Sequence, residues 1–288
     1  MALSGMRRER LEEPHEPHIR RCLVSRPEDG RQNGLLVVLH GAGATAAWMF
    51  QEVALEDWAA HHGWVLAFPE ATRAHMGKPP HVLENTPCWE DGSTRRMPRP
   101  AAGADDLQWL GGWINRWAGK DGKPVVLAGF SNGASMALRL AASSQVSLTG
   151  VLAIGGYPRA EMPVNLPLVP TVFLHGRLDP LVPPQGGWVK TPWQTEGYAI
   201  PSMAEAVGSW SRAMGALRSV TSLEPGLELT RFQDGDGKEW VRWYMVEKLG
   251  HHWPGGKGQW ESQSMGPRLD DGPVKVTDIL DGFCRWPG

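Results

Sequence analysis

Residues 124–138 have the sequence PVVLAGFSNGASMAL, in which an apolar run leads straight into a serine flanked by glycines. The run predicts a buried strand, and the small residues after Gly133 predict a helix. Glycine on both sides permits a strained turn, in which the Ser131 hydroxyl stands clear of the backbone and the next N–H points into the same space. We therefore predict Ser131 as a nucleophile and Asn132 as an oxyanion donor; the alternative is an ordinary strand-to-helix turn.

A serine hydroxyl is a weak nucleophile unless a histidine removes its proton and a carboxylate orients that histidine. Residues 171–174 predict a strand, and Asp179 lies just past its end. Residues 240–246 predict a later strand, and the glycine- and proline-rich loop after it carries His251. We predict that His251 is the base and that Asp179 orients it. The alternative for Asp179 is a plain Asp-Pro turn, in which the side chain bonds nearby backbone.

The chain order of these candidates is serine, then acid, then histidine, which is the order of the α/β-hydrolase fold. A fourth element lies upstream, where the apolar run 35–39 ends in the loop HGAGA of residues 40–44. Such a loop can supply a second oxyanion N–H, which we assign to Ala42. We expect His40 to organise this loop rather than to carry protons.

Four stretches of the chain resemble the polyhydroxyalkanoate-depolymerase-like and feruloyl-esterase-like branch of the α/β-hydrolases. They are LHGAG at 39–43, GFSNGA at 129–134, HGRLDPLVP at 175–183 and GHHWPG at 250–255, and weaker similarity extends the resemblance over most of residues 20–285. The resemblance favours His251 over His252 as the base. The chain departs from the family pattern at Ala42, where many members have cysteine. It implies a serine carboxylesterase that cleaves esters of aromatic acids such as ferulate, or of short hydroxyalkanoates, through an acyl-enzyme.

Two other functional classes stay open. A peptidase or thioesterase could use the same residues, because these residues fix acyl transfer whereas the pocket fixes the leaving group. A hydrolase-fold binding protein without catalysis is the second alternative. The sequence contains neither a phosphate-binding glycine loop nor a zinc-type ligand spacing, so we expect no cofactor and no metal.

Apolar runs alternate with helical patterns, which predicts an α/β architecture with a mainly parallel central sheet and helices on both faces. The predicted strands lie near 20–25, 35–40, 64–68, 124–129, 149–155, 170–175 and 240–247, and the predicted helices near 52–62, 105–118, 132–143, 201–215 and 275–285. We expect one catalytic domain over residues 19–288 after a flexible tail at 1–18. Two irregular stretches, 71–104 and 180–200, are expected to be lid or rim segments, or else solvated insertions.

Composition and charge narrow the range of partners. The 288 residues carry a formal net charge of -2, so nothing indicates nucleic-acid binding, and no apolar stretch is long enough to cross a membrane. Three cysteines cannot all pair, which fits a reducing compartment, and the N-terminal residues do not form a secretory signal. We expect a cytoplasmic protein, or an exported one if a leader has been removed, that acts on a small or polymeric ester. The sequence does not indicate an oligomeric state.

Fifteen tryptophans are unusual for one domain. Some lie at helical spacing, which predicts core packing. These are Trp109, Trp113, Trp117 and Trp210. Others lie on loops expected near the site, where aromatic walls suit an apolar acyl group, and we predict that they bind substrate, with packing as the alternative for each. These are Trp89, Trp188, Trp193 and Trp253.

Overall fold

The computed structural model describes residues 5–93, 98–118, 122–191, 194, 196–258 and 263–286. The strands are β1 Met6–His15, β2 His18–Pro27, β3 Gly34–Leu39, β4 Trp64–Glu70, β5 Val125–Phe130, β6 Gly150–Ile154, β7 Thr171–Gly176, β8 Gly187–Val189, β9 Tyr198–Ile200, β10 Arg218–Glu224, β11 Leu227–Gln233 and β12 Glu239–Val246. The helices are α1 Ala46–Val53, α2 Glu56–His62, α3 Asp106–Ala118, α4 Asn132–Ala142, α5 Met203–Ala213 and α6 Val276–Cys284.

One large sheet has the strand order β1-β2-β4-β3-β5-β6-β7-β12-β11-β10. The strands from β4 to β12 in this order run parallel, whereas the strands at both ends run antiparallel to their neighbours. β3 and β5 are buried along their whole length, because apolar layers cover both faces of a parallel sheet. The mainly parallel central sheet is therefore confirmed.

Helices cover both faces of this sheet. One apolar layer holds α3, α4 and α5, with Trp109, Trp113 and Trp210 buried in it and Trp117 packed against it. The opposite layer holds α1, α2 and α6. The helical tryptophans thus lie in the core, as their spacing predicts.

The N-terminal segment corrects one expectation, since most of residues 1–18 is not a tail. Met6–His15 forms β1, which pairs with β2 over its full length as a hairpin. The charges of this strand suit an edge position, because most of them form ion pairs at the surface. Arg8 pairs with Glu56, and Glu13 accepts hydrogen bonds from Arg116 and Trp109.

Two other local differences follow from backbone geometry and from pairing partners. The helix expected at 52–62 is split into α1 and α2, because Ala54 takes a left-handed conformation with φ 48° and ends the first helix. The strands β10 and β11 were not predicted; they continue the sheet beyond β12 as an antiparallel extension.

The described part of the segment 180–200 packs against the domain. β8 and β9 form a small hairpin, and their buried residues Val189 and Ile200 share an apolar cluster with Tyr157 and Met203. Its role as a lid or rim, like that of 71–104, stays a prediction.

Candidate active site

The loops that carry the candidate residues meet at one edge of the sheet. β3, β5, β7 and β12 belong to the parallel part of the sheet, so their carboxyl ends lie on the same side. The loop at 40–44, Ser131, Asp179 and His251 each follow one of these ends. In open α/β sheets, ligands bind beyond the carboxyl ends of the strands.

Ser131 lies in a strained turn between β5 and α4. Its φ of 55° and ψ of -118° are values that a non-glycine residue seldom adopts. The flanking glycines make the turn feasible by their lack of side chains. A Cβ on Gly129 would overlap the Gly133 carbonyl, and a Cβ on Gly133 would overlap the Leu39 carbonyl. The motif therefore reflects close packing of three backbone segments around the serine.

Asn132 is the first residue of α4, where a backbone N–H has no intrahelical acceptor. Its side chain is committed elsewhere. Asn132 Oδ1 accepts from the Trp89 N–H at 2.7 Å, and Nδ2 donates to Asp91 Oδ2 at 2.7 Å. The side chain thus fixes the 89–91 loop, so the group that Asn132 can offer beside Ser131 is its backbone N–H.

His40 orients the loop that carries Ala42. Its Nε2 accepts a hydrogen bond from the Ala71 N–H at 3.0 Å, so the proton lies on Nδ1, which donates to the Gly41 carbonyl at 2.8 Å. The Gly41 carbonyl and the Ala42 N–H point in opposite directions because they share one trans peptide. Holding the carbonyl towards His40 therefore turns the Ala42 N–H away from it. This is the organising role expected of His40.

The same loop borders the serine, and His40 stays neutral within it. A Cβ on Gly41 would lie 3.3 Å from Ser131 Cβ. Complete burial lowers the pKa of His40, more than its bond to Gly41 and the nearby carboxylates of Glu70 and Asp106 raise it. His40 therefore serves as a fixed donor at neutral pH.

His251 and Asp179 are in contact. His251 Nδ1 lies 2.7 Å from Asp179 Oδ2, and both residues are buried. The other carboxylate oxygen, Oδ1, accepts the N–H groups of Leu181 and Val182 at 2.8 and 2.7 Å. Asp179 thus makes the Asp-Pro turn that was the alternative interpretation, and it also binds the imidazole.

The electrostatics of this contact favour a charged carboxylate. Burial by itself raises the pKa of Asp179, but the charge of His251 and its hydrogen bond, together with the two backbone donors, outweigh burial and lower the pKa. The neighbouring His252 points elsewhere, since its Nε2 bonds the Gly266 carbonyl at 3.1 Å. Asp179 therefore pairs with His251, the histidine that the resemblance favours.

A turn of two glycines lies between His251 and Ser131. A Cβ on Gly155 would lie 3.2 Å from His251 Cε1, and a Cβ on Gly156 would lie 2.5 Å from the Ser131 carbonyl oxygen. The His251 ring also packs on Phe130, with ring centroids 4.9 Å apart. Among the described contacts, Ser131 Oγ makes no hydrogen bond to His251 Nε2; such bonds often tighten only when substrate binds.

His175 is the residue that sequence reasoning missed. It is fully buried at the end of β7, and its Nδ1 accepts from Trp243 Nε1 at 3.1 Å. The proton is therefore on Nε2, which donates to the Gly156 carbonyl at 2.9 Å. Burial lowers the pKa of His175 to about 4, so it supports the glycine turn as a neutral donor. Its place in HGRLDPLVP was visible, but its partner Trp243 lies on a distant strand.

The predicted tryptophan walls are placed very differently from one another. Trp89 is wholly buried, stacks on Trp109 and donates Nε1 to the His40 carbonyl at 2.9 Å. Trp253 is buried in the layer that holds α1 and α6. Neither presents a surface to a bound molecule, which corrects both predictions. Trp188 on β8 is 75% exposed, and Trp193 lies outside the described residues.

The described residues offer neither of two other kinds of feature, a metal centre or a membrane-spanning helix. Among them, no group of three or more histidine, cysteine, aspartate or glutamate side chains could hold a metal ion. No helix in the same part of the chain is long and apolar enough to span a bilayer.

The fold and this arrangement agree with the family comparison. Residues 21–191 match the family model described as phospholipase/carboxylesterase, which is more than half of the chain. The chain therefore belongs to this α/β-hydrolase family of carboxylic ester hydrolases. At this level the predicted fold and enzyme class are confirmed, whereas the narrower feruloyl and hydroxyalkanoate branch stays a prediction.

One curated relative is named "Putative esterase NocK", from Nocardia uniformis subsp. tsuyamanensis. It is 30% identical over 238 residues, which are 77% of this chain and 66% of that protein. The match therefore spans just under two thirds of the length of this relative.

Solved structures share the fold at low sequence identity. Acetyl xylan esterase from Aspergillus awamori superposes with a TM-score of 0.60 at 12% identity, over 96% of this chain and 99% of that chain. TT1662 from Thermus thermophilus superposes with a TM-score of 0.51 at 21% identity, over 85% of this chain and 90% of that chain. At these identities the likeness is one of fold alone.

Proposed function

We propose that this chain is a serine carboxylesterase in which Ser131 is the nucleophile, His251 the general base and Asp179 its orienting acid. One observation carries the proposal. The buried Asp179–His251 contact of 2.7 Å lies at the same sheet edge as Ser131, whose backbone is held in a strained turn. A carboxylate bonded to Nδ1 leaves Nε2 as the ring nitrogen that can accept a proton.

Acylation begins when the Ser131 oxygen attacks the ester carbonyl carbon and its proton passes to His251 Nε2. The negative charge of Asp179 then stabilises the imidazolium, because His251 Nδ1 is in direct contact with the Asp179 carboxylate. Collapse of the tetrahedral intermediate breaks the bond to the alcohol oxygen, and His251 returns the proton to that oxygen. The alcohol leaves, and the acyl group remains on Ser131.

Deacylation repeats these steps with water. His251 takes a proton from water as the water oxygen attacks the acyl carbon, and Ser131 regains its proton when the acid leaves. In both halves the carbonyl oxygen gains negative charge. We assign its stabilisation to the backbone N–H groups of Asn132 and Ala42, the former at a helix start and the latter turned by His40.

For substrates, we propose carboxylic esters of aromatic acids such as ferulate or of short hydroxyalkanoates. The support is the resemblance of the four loop sequences and the family of ester hydrolases to which the chain belongs. The exposed Trp188, on a hairpin packed against Tyr157 next to the glycine turn, offers an aromatic surface at the rim. We place the segment 180–200 as this rim.

The test compares Ser131→Ala with Ser135→Ala. Ser135 lies one turn further along α4, and its buried hydroxyl has no hydrogen-bond partner, so its removal leaves the helix intact. We expect Ser131→Ala to lose turnover of a short p-nitrophenyl ester and labelling by a fluorophosphonate, and Ser135→Ala to keep both. Substantial turnover by folded Ser131→Ala would refute the assignment.

A substrate comparison separates the remaining classes. We would measure kcat/KM for an ester, a thioester and an anilide that share one acyl group, and we expect the ester to be cleaved fastest. Faster thioester or anilide cleavage would favour the thioesterase or peptidase alternative. A wild-type protein that neither hydrolyses any of them nor reacts with the fluorophosphonate would be a binding protein.

A further inference from the structure

β10 is an edge strand with its outer side open. It pairs on one side with β11 and ends the large sheet. Its residues are mostly exposed; Val220 and Leu223 expose 56% and 78% of their surface, and Leu217 just before the strand exposes 73%. An edge strand presents unpaired N–H and C=O groups, and proteins usually protect such edges with charges or proline. Arg218–Glu224 carries neither within its interior, since its charges stand only at its two ends.

The opposite edge of the sheet is different. β1 carries charges throughout, and most of them form ion pairs within the chain, such as Glu9 with Arg26 and Glu12 with Arg21. Its Pro14 also removes one backbone donor. By contrast, in the described part of the chain neither Arg218 nor Glu224 has an ion-pair partner.

The charges of β10 are complementary to those of a second β10. In an antiparallel pair with a two-fold axis at Thr221, Arg218 of each copy lies opposite Glu224 of the other. Opposite charges that face each other across strands stabilise a pair, and like charges destabilise it. Moving the axis by one residue in either direction takes Arg218 away from Glu224. The sequence of this strand therefore specifies one register.

We propose that two copies of this protein associate through antiparallel pairing of their β10 strands about Thr221, which makes the large sheet continuous across a two-fold dimer. The contact is isologous, so it closes after two copies and leaves no β10 edge open for further growth. It is independent of the esterase proposal, because β11 separates β10 from β12, the strand that leads to His251.

Charge reversal tests the proposal. Arg218→Glu makes both end pairs repulsive, Glu224→Arg does the same with the other sign, and the double variant restores two attractive pairs. By sedimentation velocity over a concentration series, we expect each single variant to raise the dimer dissociation constant by about tenfold or more, since two pairs change sign. The double variant should recover the wild-type value, and an equimolar mixture of the two single variants should form heterodimers. Arg7→Glu, the same charge change on the opposite edge strand, is the control and should leave dimerisation unchanged.

The register is tested by cross-linking in a Cys284→Ser background, because Cys284 is an exposed free thiol. Thr221→Cys places two thiols opposite each other on the axis, and oxidised glutathione should join two chains. Ser219→Cys, which faces Leu223 of the other copy, should not cross-link. A monomer at all concentrations, equal weakening by Arg7→Glu, or equal cross-linking at both positions would overturn the proposal. Ester turnover is expected to be unchanged in all these variants.

Discussion

Asp179→Asn is a sharp perturbation, because the two oxygens of this carboxylate have different partners. Oδ1 accepts two backbone N–H groups, and Oδ2 binds His251 Nδ1. An amide has one oxygen and one NH₂ group. If its oxygen keeps the two backbone donors, its NH₂ faces Nδ1, which must then give up its proton. The imidazole proton moves to Nε2, where His251 can no longer act as the base.

The opposite orientation of the amide is costly. Its oxygen would face His251, but its NH₂ would face the N–H groups of Leu181 and Val182, leaving two buried donors without acceptors. Each costs about 1–3 kcal/mol, so the first orientation should dominate. With the wrong tautomer and no negative charge, we expect kcat to fall by about 10⁴, as for the same change in a serine protease, which is about 5.5 kcal/mol of transition-state stabilisation.

The assay is hydrolysis of p-nitrophenyl acetate under saturating conditions, with near-ultraviolet circular dichroism to show that the variant folds. Asp271→Asn, at an exposed aspartate, is the matched control and should keep wild-type kcat. A folded Asp179→Asn variant with kcat within tenfold of the wild type would refute the role of Asp179, and with it the proton route.

Four further outcomes follow from the same contacts. His40→Phe removes the donor to the Gly41 carbonyl, and steady-state kinetics should show kcat lower by about 10²–10³ with little change in KM, because the loss is that of one oxyanion donor; an equal rise in KM would contradict this. The pKa of His175 in the native protein is lowered to about 4, so His175 takes up its second proton at a higher pH in the unfolded chain than in the folded one. As the pH drops from 6.5 to about 4, the free energy of unfolding in urea should therefore fall by up to about 3 kcal/mol more for the wild type than for His175→Gln. Parallel pH curves for the two proteins would contradict this. The pKa of Asp179 is lowered, so its contribution to stability is present above the ordinary value of 3.8 and is lost as the pH falls through its lower native pKa. Over that range, the difference in free energy of unfolding between the wild type and Asp179→Asn should become smaller, and a larger difference would contradict the pairing. Gly133→Ala places a Cβ on the Leu39 carbonyl and should destabilise by about 3 kcal/mol or more in urea titration, and a variant of wild-type stability would show that the turn can relax.

The sequence was most informative where backbone geometry restricts residue choice. Gly129 and Gly133 are required by close approach of main-chain atoms, so their spacing around Ser131 could be recognised in one dimension. The loops at the ends of β7 and β12 were equally marked by glycine and proline. Parallel strands then bring such loops to one edge, which is why the candidate residues could be predicted as a set.

Features that depend on distant partners could not be predicted. Trp89 was expected to face substrate, but α3 supplies Trp109 to stack on it and the loop after β3 supplies an acceptor for its N–H. Met6–His15 has no strand-like apolar alternation, and it is ordered because β2 pairs with it over ten residues. The donor that fixes the His175 tautomer comes from Trp243, 68 positions further along.

The three imidazoles near Ser131 differ in which of their ring nitrogens are hydrogen-bonded. His40 and His175 each have both ring nitrogens committed to fixed partners, with their protons on opposite nitrogens, so neither has an open position for proton traffic. His251 is committed at Nδ1, to an anion. We therefore expect proton transfer during turnover to involve His251 alone, while His40 and His175 stay neutral. Nitrogen-15 spectra of the imidazoles should show two rings locked as neutral tautomers of opposite kind, and one ring that changes protonation state when a tetrahedral adduct forms on Ser131.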